Sequence, residues 1–474
     1  MSDEAAAGDP ETSAPPAPRR MTAPQLRAKA IEDHKAGKLD EAFKAYRVYL
    51  RVRPQDAGIW TNLGALLRKR GEHDAAAVCQ RRAHLLAPED LAILGNMGNA
   101  LQDADRLDEA LQVRREVLRR KPSDPDAFAM LAVTLRALGR MEEAAQVAAD
   151  GLARHAGHPE LKVQQAMARL ALGDYARGFE YFDARWYIGE IDKPPYSEPE
   201  WQGEDLTGKR LLVLPEQGNG DTLLMLRFLP QLKARGAHVI LVTKPPLARL
   251  VAGAPGADEV LPTGAAKPSI DLVTHMMDLP RWLGARLDAL PPSPTLEIPA
   301  DSRRRARALA APFDGRLRIG VVWSGSVTYK ANFKRSFDAG RFLPLADLPD
   351  VQLFSLYKGP LLDKFREGGE SAVIVDAAGD DRDFADAAAL LEEMDLVIGV
   401  DTGVMHLAGV LGRPVWNLLA YSPYWLYGNQ GEATPWHPSM RLFRQTSPGD
   451  WDGVMAEVRG ALQALLAERR GAPA

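Results

Sequence analysis

Apolar and polar positions repeat along residues 23–156 at an interval of about 34 residues. This interval is typical of a helix-turn-helix unit that stacks on its neighbours. One copy shows the pattern most clearly, with large, small and helix-breaking residues at Trp60, Leu63, Gly64, Leu67, Gly71, Ala76, Ala83 and Pro88. The pattern predicts four helical pairs, followed at residues 160–186 by a degenerate unit that caps the array.

A proline-rich segment at 193–199 ends the helical pattern, and short β-prone runs then alternate with helical stretches. The runs lie at 211–214, 239–242, 319–322, 351–354, 396–398 and 415–419. Such alternation predicts parallel sheets with helices on both faces. A second proline-rich stretch at 291–294 divides this region in two, so we expect an α-solenoid followed by two doubly wound, Rossmann-like α/β domains that face a cleft.

These patterns predict five segments. Residues 1–22 are polar and rich in Ala and Pro, and we expect them to be disordered because they have too few apolar side chains to pack. The repeats occupy 23–187, a linker 188–208, the first α/β domain 209–299 and the second 300–470. The last stretch, 450–470, is expected to form one amphipathic helix.

Composition excludes several classes of function. Lys and Arg number 59 against 63 Asp and Glu, a net charge of −4, which argues against nucleic acid or anionic lipid as a partner. The single cysteine, Cys79, excludes an intrachain disulfide and a cysteine-based metal site. No apolar run approaches the roughly 20 residues of a membrane span, and no signal-peptide pattern is present. We therefore expect a cytoplasmic protein.

The segment 395–409 carries the clearest signal for chemistry. Four apolar residues lead into a polar turn, and an Ala- and Leu-rich helix begins at once, which places a hydroxyl, a glycine and helix amides at the end of a strand. Helix N-termini at such positions bind phosphate groups. The candidates for holding a diphosphate are Asp401, Thr402, Gly403 and His406. His406 shares a helical face with Thr402, although it could equally be a structural histidine.

Two further strand ends are predicted to reach the same crevice. One carries Ser324, with Arg335 soon after it, and the other carries Lys358. Cations at these positions would offset the charge that develops on a departing nucleotide. The alternative is solvated surface, which we favour for Lys330 but not for Lys358, because Lys358 directly follows a predicted buried strand.

A second glycine-rich strand-turn-helix lies at 215–222 in the first α/β domain. Gly218 and Gly220 would allow a ligand to approach the backbone closely, and Asp221 falls at the start of the helix. Its carboxylate could accept a proton from an attacking hydroxyl, or it could simply be the N-cap of the helix. His275, near the end of another strand of this domain, is a further candidate for the acceptor side of the crevice.

Asparagines suggest how the repeats could bind a partner. Asn62 and Asn96 hold the same register on successive first helices, and Asn99 lies close by. An amide side chain offers both a donor and an acceptor, which suits an extended peptide backbone. The repeats are therefore expected to bind protein.

The repeat pattern resembles the tetratricopeptide repeat, and the α/β region is similar to GT-B glycosyltransferases, especially the lipopolysaccharide heptosyltransferases and more distantly the protein O-GlcNAc transferases. Four segments carry this resemblance: 216–222, 383–386, 400–409 and 436–445. The resemblance implies metal-independent inverting transfer from a nucleotide sugar, without a cofactor. It also implies that Asp221 is the base, that Thr402, Gly403 and His406 hold the donor phosphates, and that Lys358 contacts a phosphate.

Two features have a catalytic and a structural interpretation. The run 381–383 looks like the paired aspartates of metal-dependent sugar transferases, but its position before a predicted helix at 384–394 favours a first-turn acidic cluster. We therefore expect no metal. A group of aromatic residues could stack on a nucleotide base or pack in the core: Tyr421, Tyr424, Trp425 and Trp436.

Three functional hypotheses follow. In the first, the repeats hold a protein acceptor, such as flagellin or another surface protein, while the cleft transfers a sugar to it. In the second, the enzyme assembles a glycan or lipopolysaccharide and the repeats serve complex formation. In the third, the chain is a non-catalytic scaffold with a degenerate GT-B fold.

Overall fold

The computed structural model describes residues 21–216 and 218–471, so nearly all of the tail predicted to be disordered, and Gln217 of the glycine-rich turn, lie outside the described residues. A series of consecutive helices precedes an α/β region with two parallel sheets, which confirms the predicted fold class. The chain divides into two compact units, Met1–Arg120 and Lys121–Ala474, so the division falls within the repeats.

The repeat helices form pairs, the first three in one unit and the remainder in the other. In the first unit they are Ala23–Lys35 (α1), Leu39–Val52 (α2), Ala57–Lys69 (α3), His73–Leu86 (α4), Leu91–Asp103 (α5) and Leu107–Arg120 (α6). In the second they are Pro125–Ala137 (α7), Met141–Arg154 (α8), Pro159–Ala171 (α9) and Tyr175–Tyr181 (α10), which a 3-10 helix, Phe182–Tyr187, extends.

Backbone geometry explains the interval of the repeats. Asp56, Asp90 and Asp124 are N-caps of α3, α5 and α7, and each side chain accepts a backbone N–H of the first turn. The turn between the two helices of each pair contains one residue whose backbone has a positive φ, in the left-handed region. These residues, with their φ angles, are Gly37 (75°), Gly71 (78°), Asp105 (55°), Gly139 (73°) and Gly173 (80°). The same turn therefore recurs in all five copies, and the same aspartate cap recurs in three of them.

Close packing within the second and third helical pairs depends on a glycine in the first helix of each pair. A Cβ on Gly64 would lie 2.6 Å from Nε2 of Gln80, and one on Gly98 would lie 2.8 Å from Cζ of Arg114. Gln80 donates to the carbonyl of Thr61 at 3.0 Å, and Arg114 repeats this bond to the carbonyl of Gly95 at 3.1 Å. The glycines thus make room for polar side chains that fasten the two helices together.

The second unit contains a four-stranded and a six-stranded sheet, both parallel. The first consists of Arg210–Leu214 (β1), His238–Thr243 (β2), Glu259–Pro262 (β3) and Leu272–His275 (β4). These strands lie in the order β3-β2-β1-β4. The second consists of Leu317–Val322 (β5), Val351–Ser355 (β6), Ile374–Asp376 (β7), Leu396–Val400 (β8), Val415–Leu419 (β9) and Met440–Arg444 (β10). These strands lie in the order β10-β9-β8-β5-β6-β7.

Helices connect and flank these strands. They are Asn219–Met225 (α11), Leu229–Ala234 (α12), Pro245–Val251 (α13), Leu279–Trp282 (α14), Ala300–Ala310 (α15), Leu343–Ala346 (α16), Leu362–Glu367 (α17), Phe384–Glu392 (α18), Gly403–Val410 (α19) and Trp451–Gly471 (α20). None of the helices in the described ranges combines the length and apolar character that a membrane span requires. Helix α20 confirms the helix predicted for the last stretch.

The strand orders locate the ligand-binding edges of the two sheets. The direction of strand addition reverses between β1 and β4 in the first sheet and between β5 and β8 in the second. In open parallel sheets, ligands bind beyond the carboxyl ends of the strands at such a reversal. The segments that follow β1, β5 and β8 are those that the sequence singled out for chemistry.

Aromatic residues pack the last repeat helix against the second α/β domain. Trp436 is fully buried and donates its indole N–H to the hydroxyl of Tyr175 at 2.5 Å. Tyr175 and Phe179 also meet Trp425 edge to face, with ring centroids 5.8 Å apart in both pairs. Core packing is therefore the confirmed interpretation for Trp425 and Trp436.

The turn geometry gives a paired test within the first unit. Asp105→Gly should raise the local free energy of unfolding by about 0.5 kcal/mol, because a residue with a Cβ is strained at positive φ. Gly71→Ala, at the equivalent turn, should lower it by about 1 kcal/mol. Hydrogen–deuterium exchange of the full chain, read on peptides from α3 to α6, measures both changes. A loss of stability in both variants would contradict the assignment of strain to this position.

Candidate active site

The loop after β8 leads directly into the N-terminus of α19. Thr402 is the N-cap, in an extended conformation, and the helix begins at Gly403. The side chain of Thr402 is largely buried, and its hydroxyl has no hydrogen-bond partner among the described residues. Free amides of the first turn, an unpaired hydroxyl and the positive end of the helix dipole therefore lie together, as a diphosphate would require.

The loop after β1 presents Asp221 in the first turn of α11. The carboxylate accepts the N–H of Gly218 at 3.1 Å. Gly218 is the N-cap and Asp221 is the third residue of the helix, so the interpretation of Asp221 as the N-cap is wrong. Asp221 still stabilises the start of this helix, because its carboxylate accepts an otherwise unpaired backbone donor.

The two loops meet at two glycines. A Cβ on Gly220 would lie 2.7 Å from Cδ2 of His406 and 3.5 Å from Cα of Gly403. A Cβ on Gly403 would in turn lie 3.6 Å from the backbone nitrogen of Gly220. The structure thus brings the two predicted loops together, but in van der Waals contact rather than across an open gap.

His406 lies between acidic groups and a second histidine. Its Nε2 is 3.6 Å from Oδ1 of Asp401, and its Nδ1 is 3.1 Å from Nε2 of His437. The hydroxyl of Tyr427 donates to Asp401 at 2.7 Å, and Nη1 of Arg335 lies 3.8 Å from the same carboxylate. Asp401 is therefore surrounded by an imidazole, a phenolic hydroxyl and a guanidinium.

Burial and charge act against each other on these groups. Burial lowers the pKa of His406, while Asp401 and Asp221 oppose that shift. Burial also raises the pKa of Asp221, opposed by His406 and by the N–H of Gly218. The pKa of fully buried His437 lies well below its usual value because of burial and the nearby His406 and Arg227. Asp221 is thus a stronger base than an exposed aspartate.

His437 and Tyr427 were missed by sequence reasoning. His437 lies within the segment 436–445 that carries the family resemblance, but nothing in its spacing connects it with His406, 31 positions away. It is accommodated because position 409 is glycine, where a Cβ would lie 2.5 Å from the imidazole ring of His437. Only the three-dimensional packing of α19 against this segment reveals the pair.

The segment after β5 joins the site through a short chain of polar contacts. Asn332 donates to the hydroxyl of buried Ser324 at 3.1 Å and accepts from Nε of Arg335 at 3.3 Å. Because Arg335 also lies beside Asp401, the structure brings Ser324 and Arg335 to the same place as the α19 loop.

Lys358 does not fit the expectation. It is exposed, and its ammonium donates to the main-chain carbonyl of Asp381. The prediction that Lys358 is not part of the solvated surface was wrong, because the chain leaves the sheet immediately after the buried strand β6. Lys330 is exposed, as expected.

The acidic run 381–383 is structural. Asp383 is the N-cap of α18, accepting the N–H of Ala385 at 2.9 Å, and it also pairs with Arg249 at 2.8 Å. This confirms the interpretation as a first-turn acidic cluster. Within 21–216 and 218–471, no group of three or more His, Cys, Asp or Glu side chains could hold a metal ion.

A buried ion triad supports the loop that carries Asp221. Arg185 donates to both carboxylate oxygens of Glu216, at 3.0 and 2.6 Å, and to Asp278 at 2.8 Å. Burial raises the pKa of Glu216, and Arg185 opposes that shift. The triad ties the 3-10 helix at the end of the repeats to the residues that follow β1 and β4.

The remaining candidates have surroundings of their own. His275 is buried at the end of β4, with its ring centroid 4.6 Å from that of Trp186. In the first unit, Asn62 and Asn96 are partly buried on α3 and α5. Asn99 accepts a hydrogen bond from Arg114, so its amide oxygen is engaged within the repeats.

Comparison with known proteins identifies both regions. Profiles of the tetratricopeptide repeat match residues 27–84 and 101–170, and the profile of glycosyltransferase family 9 (heptosyltransferase) matches residues 375–457. The last match contains the α19 loop and the segment of His437. The chain therefore carries tetratricopeptide repeats and a glycosyltransferase family 9 domain, which confirms the predicted resemblance and supports the prediction of a glycosyltransferase.

One similar curated protein is Protein FlbA of Caulobacter vibrioides, 28% identical over 328 residues. The match covers 63% of this chain and 54% of FlbA, so the chain spans about half the length of that relative. Among solved structures, a glycosyl transferase of family 9 from Veillonella parvula is 16% identical with a TM-score of 0.43, covering 56% of this chain and 99% of that one. YrrB, a tetratricopeptide protein with an unusual peptide-binding site, is 16% identical with a TM-score of 0.31, covering 35% and 87%.

The electrostatics of the site give a spectroscopic prediction. Asp401→Asn should lower the pKa of His406 further, because it removes a negative charge that favours the imidazolium form. Ring-nitrogen NMR on histidine-labelled protein, assigned with His406→Gln, measures this pKa. Asp380→Asn, at an exposed carboxylate, is the matched control and should leave the pKa unchanged. An unchanged or higher pKa in Asp401→Asn would refute the proposed coupling.

Proposed function

We propose that this chain, which combines tetratricopeptide repeats with a glycosyltransferase family 9 domain, transfers a sugar from a nucleotide sugar to a protein hydroxyl by metal-independent inversion. The observation that carries this proposal is the contact between the Asp221 and Thr402 loops at Gly220 and Gly403. This contact supports the proposal, because a base at Asp221 and a diphosphate at the N-terminus of α19 would then share a single reaction centre.

On the donor side, the proposal assigns the diphosphate to the N-terminus of α19. The hydroxyl of Thr402 and the amides that follow it would donate to phosphate oxygens. Arg335, held by Asn332, would offset the negative charge that develops on the leaving nucleotide diphosphate. His406 would face the same phosphate group, oriented by Asp401 and His437.

On the acceptor side, Asp221 would take the proton of the attacking hydroxyl. The acceptor oxygen forms a bond to the anomeric carbon as the bond from that carbon to the diphosphate oxygen breaks, so one displacement inverts the configuration. Burial raises the pKa of Asp221, which supports this role. Because the two loops touch, we infer that the donor gains access when the two α/β domains move apart.

The proposed acceptor is a protein bound by the repeats, with flagellin as one candidate. The half-buried amides of Asn62 and Asn96 support this assignment, because they lie in equivalent positions on α3 and α5. Two amides one repeat apart can bind an extended backbone without selecting its sequence. We expect the reaction to take place in the cytoplasm, where nucleotide sugars are available.

Nucleotide binding is the first test, and it separates an enzyme from a scaffold. At a hundred times its dissociation constant, one of UDP, GDP, ADP or CMP should stabilise the chain by about 2.7 kcal/mol in a thermal-shift assay. Thr402→Val should weaken binding by about 1.5–3 kcal/mol, the usual contribution of a hydrogen bond to a charged group. Thr263→Val, at an exposed threonine, is the control. Stabilisation by none of the four nucleotides would favour the scaffold.

The base assignment is tested with the nucleotide sugar that the binding screen identifies. Asp221→Asn should lower kcat by about 10²- to 10⁴-fold while leaving the dissociation constant of the nucleotide unchanged, because general base catalysis acts on the acceptor. Transfer of radiolabelled sugar to protein is measured in EDTA, where the wild type should remain active. Unchanged turnover in Asp221→Asn would remove this residue from the mechanism, and loss of wild-type activity in EDTA would refute metal independence.

A further inference from the structure

A recess of about 220 Å³ lies beyond the carboxyl end of β4, outside the Asp401 cluster. Its walls come from three parts of the second unit: the end of the repeats, the linker and the first α/β domain. Residues that line it include Trp186, Tyr187, Lys193, His275, Asp278 and Arg281. The recess therefore has room for several water molecules, enough for a ligand of the size of one sugar ring.

The linker and β4 build the recess as a defined part of the fold. Trp201 donates its backbone N–H to the carbonyl of Val273 at 2.8 Å, and Val273 donates to the carbonyl of Pro199 at 3.1 Å. The linker therefore runs beside the edge of the first sheet, and Trp201 is almost completely buried there.

Charged side chains around the recess form closed pairs. Arg281 pairs with Asp183 at 3.3 Å, Lys193 with Glu200 at 2.6 Å, and Asp278 with Arg185 at 2.8 Å. The first two pairs are neutral, and Asp278 shares Arg185 with Glu216; all of these groups still offer donors and acceptors at the rim. Such a lining suits a neutral ligand with many hydroxyl groups better than an anion or a cation, because a charged ligand would have to break a pair.

Aromatic rings supply the apolar part of the recess. The indole N–H of Trp186 is buried and has no hydrogen-bond partner among the described residues. Tyr187 is 68% exposed, an unusual degree of exposure for a large aromatic side chain. Rings of this kind present flat apolar faces with one polar edge, which matches the alternation of C–H and hydroxyl groups on a pyranose.

His275 adds an unsatisfied polar group to the wall. It is 2% exposed, and its Nδ1 has no hydrogen-bond partner among the described residues. Burial lowers the pKa of His275 to about 4, so the imidazole is neutral near pH 7 and can bind a hydroxyl without introducing a charge. A buried polar atom without a partner is costly, and a ligand hydroxyl would satisfy it.

We infer that this recess binds a neutral pyranose. If the proposed function holds, this pyranose is a sugar unit already attached to the acceptor. Its position supports that use, because Asp278 at the recess and Glu216 in the loop of Asp221 share Arg185 as their partner. A sugar in the recess would therefore lie one side chain away from the loop that carries the proposed base.

Saturation-transfer NMR on the full chain tests the inference without any nucleotide. The probes are glucose, galactose, mannose and N-acetylglucosamine, with glucuronate and glucosamine as charged counterparts. At least one neutral sugar should bind, at least tenfold more tightly than its charged counterpart. Tyr187→Ala and His275→Phe should each raise the dissociation constant at least tenfold, whereas Val373→Ala, at another exposed apolar side chain, should not change it.

Three outcomes would overturn the inference. The first is the absence of saturation transfer to any neutral sugar. The second is a dissociation constant that is unchanged in both Tyr187→Ala and His275→Phe. The third is a loss of sugar binding in Thr402→Val, which would place the sugar at the donor site. Thermal unfolding curves verify that each variant is folded. The proposed catalytic role of Asp221 can fail independently of this inference. If Asp221→Asn retained full turnover while neutral sugars still bound to the recess, the catalytic role would be refuted and the assignment of the recess would stand.

Discussion

The close approach of two backbones at Gly220 and Gly403 is the constraint on which the site depends. A side chain at position 220 would meet the ring of His406, so only a glycine allows α11 and α19 to begin face to face. This contact brings the end of β1 in the first sheet to the end of β8 in the second. Residues from two separate sheets therefore act on one small volume, which neither sheet could enclose alone.

Buried and partly buried charges hold this arrangement in place. Arg185 ties the loop of Asp221 to the end of the repeats, and Arg249 on α13 ties the first α/β domain to Asp383 and Asp386 on α18. Removing one partner from such a pair would leave a buried charge without compensation. The repeats are part of this framework as well, because Tyr175 packs among the tryptophans of the second α/β domain.

Much of the fold could be predicted from sequence because its determinants are local. The 34-residue interval reflects one cap and one turn per repeat, and apolar runs identified the central strands. Short strands with mixed burial, such as Ile374–Asp376, do not differ from loops in sequence. For the candidate site, Thr402 and Asp221 could be proposed because each lies where a strand passes through a short turn into a helix. His437 could not, since its contact with His406 arises from tertiary packing, and the exposure of Lys358 depends on the path of the chain beyond β6.

A crystal structure of the chain with the bound nucleoside diphosphate tests the central claim most directly. The diphosphate should lie at the N-terminus of α19, within hydrogen-bond distance of the hydroxyl of Thr402, and the carboxylate of Asp221 should face the side from which an acceptor would approach. A diphosphate bound away from α19, or an Asp221 carboxylate separated from it by an intact wall of side chains, would contradict the account.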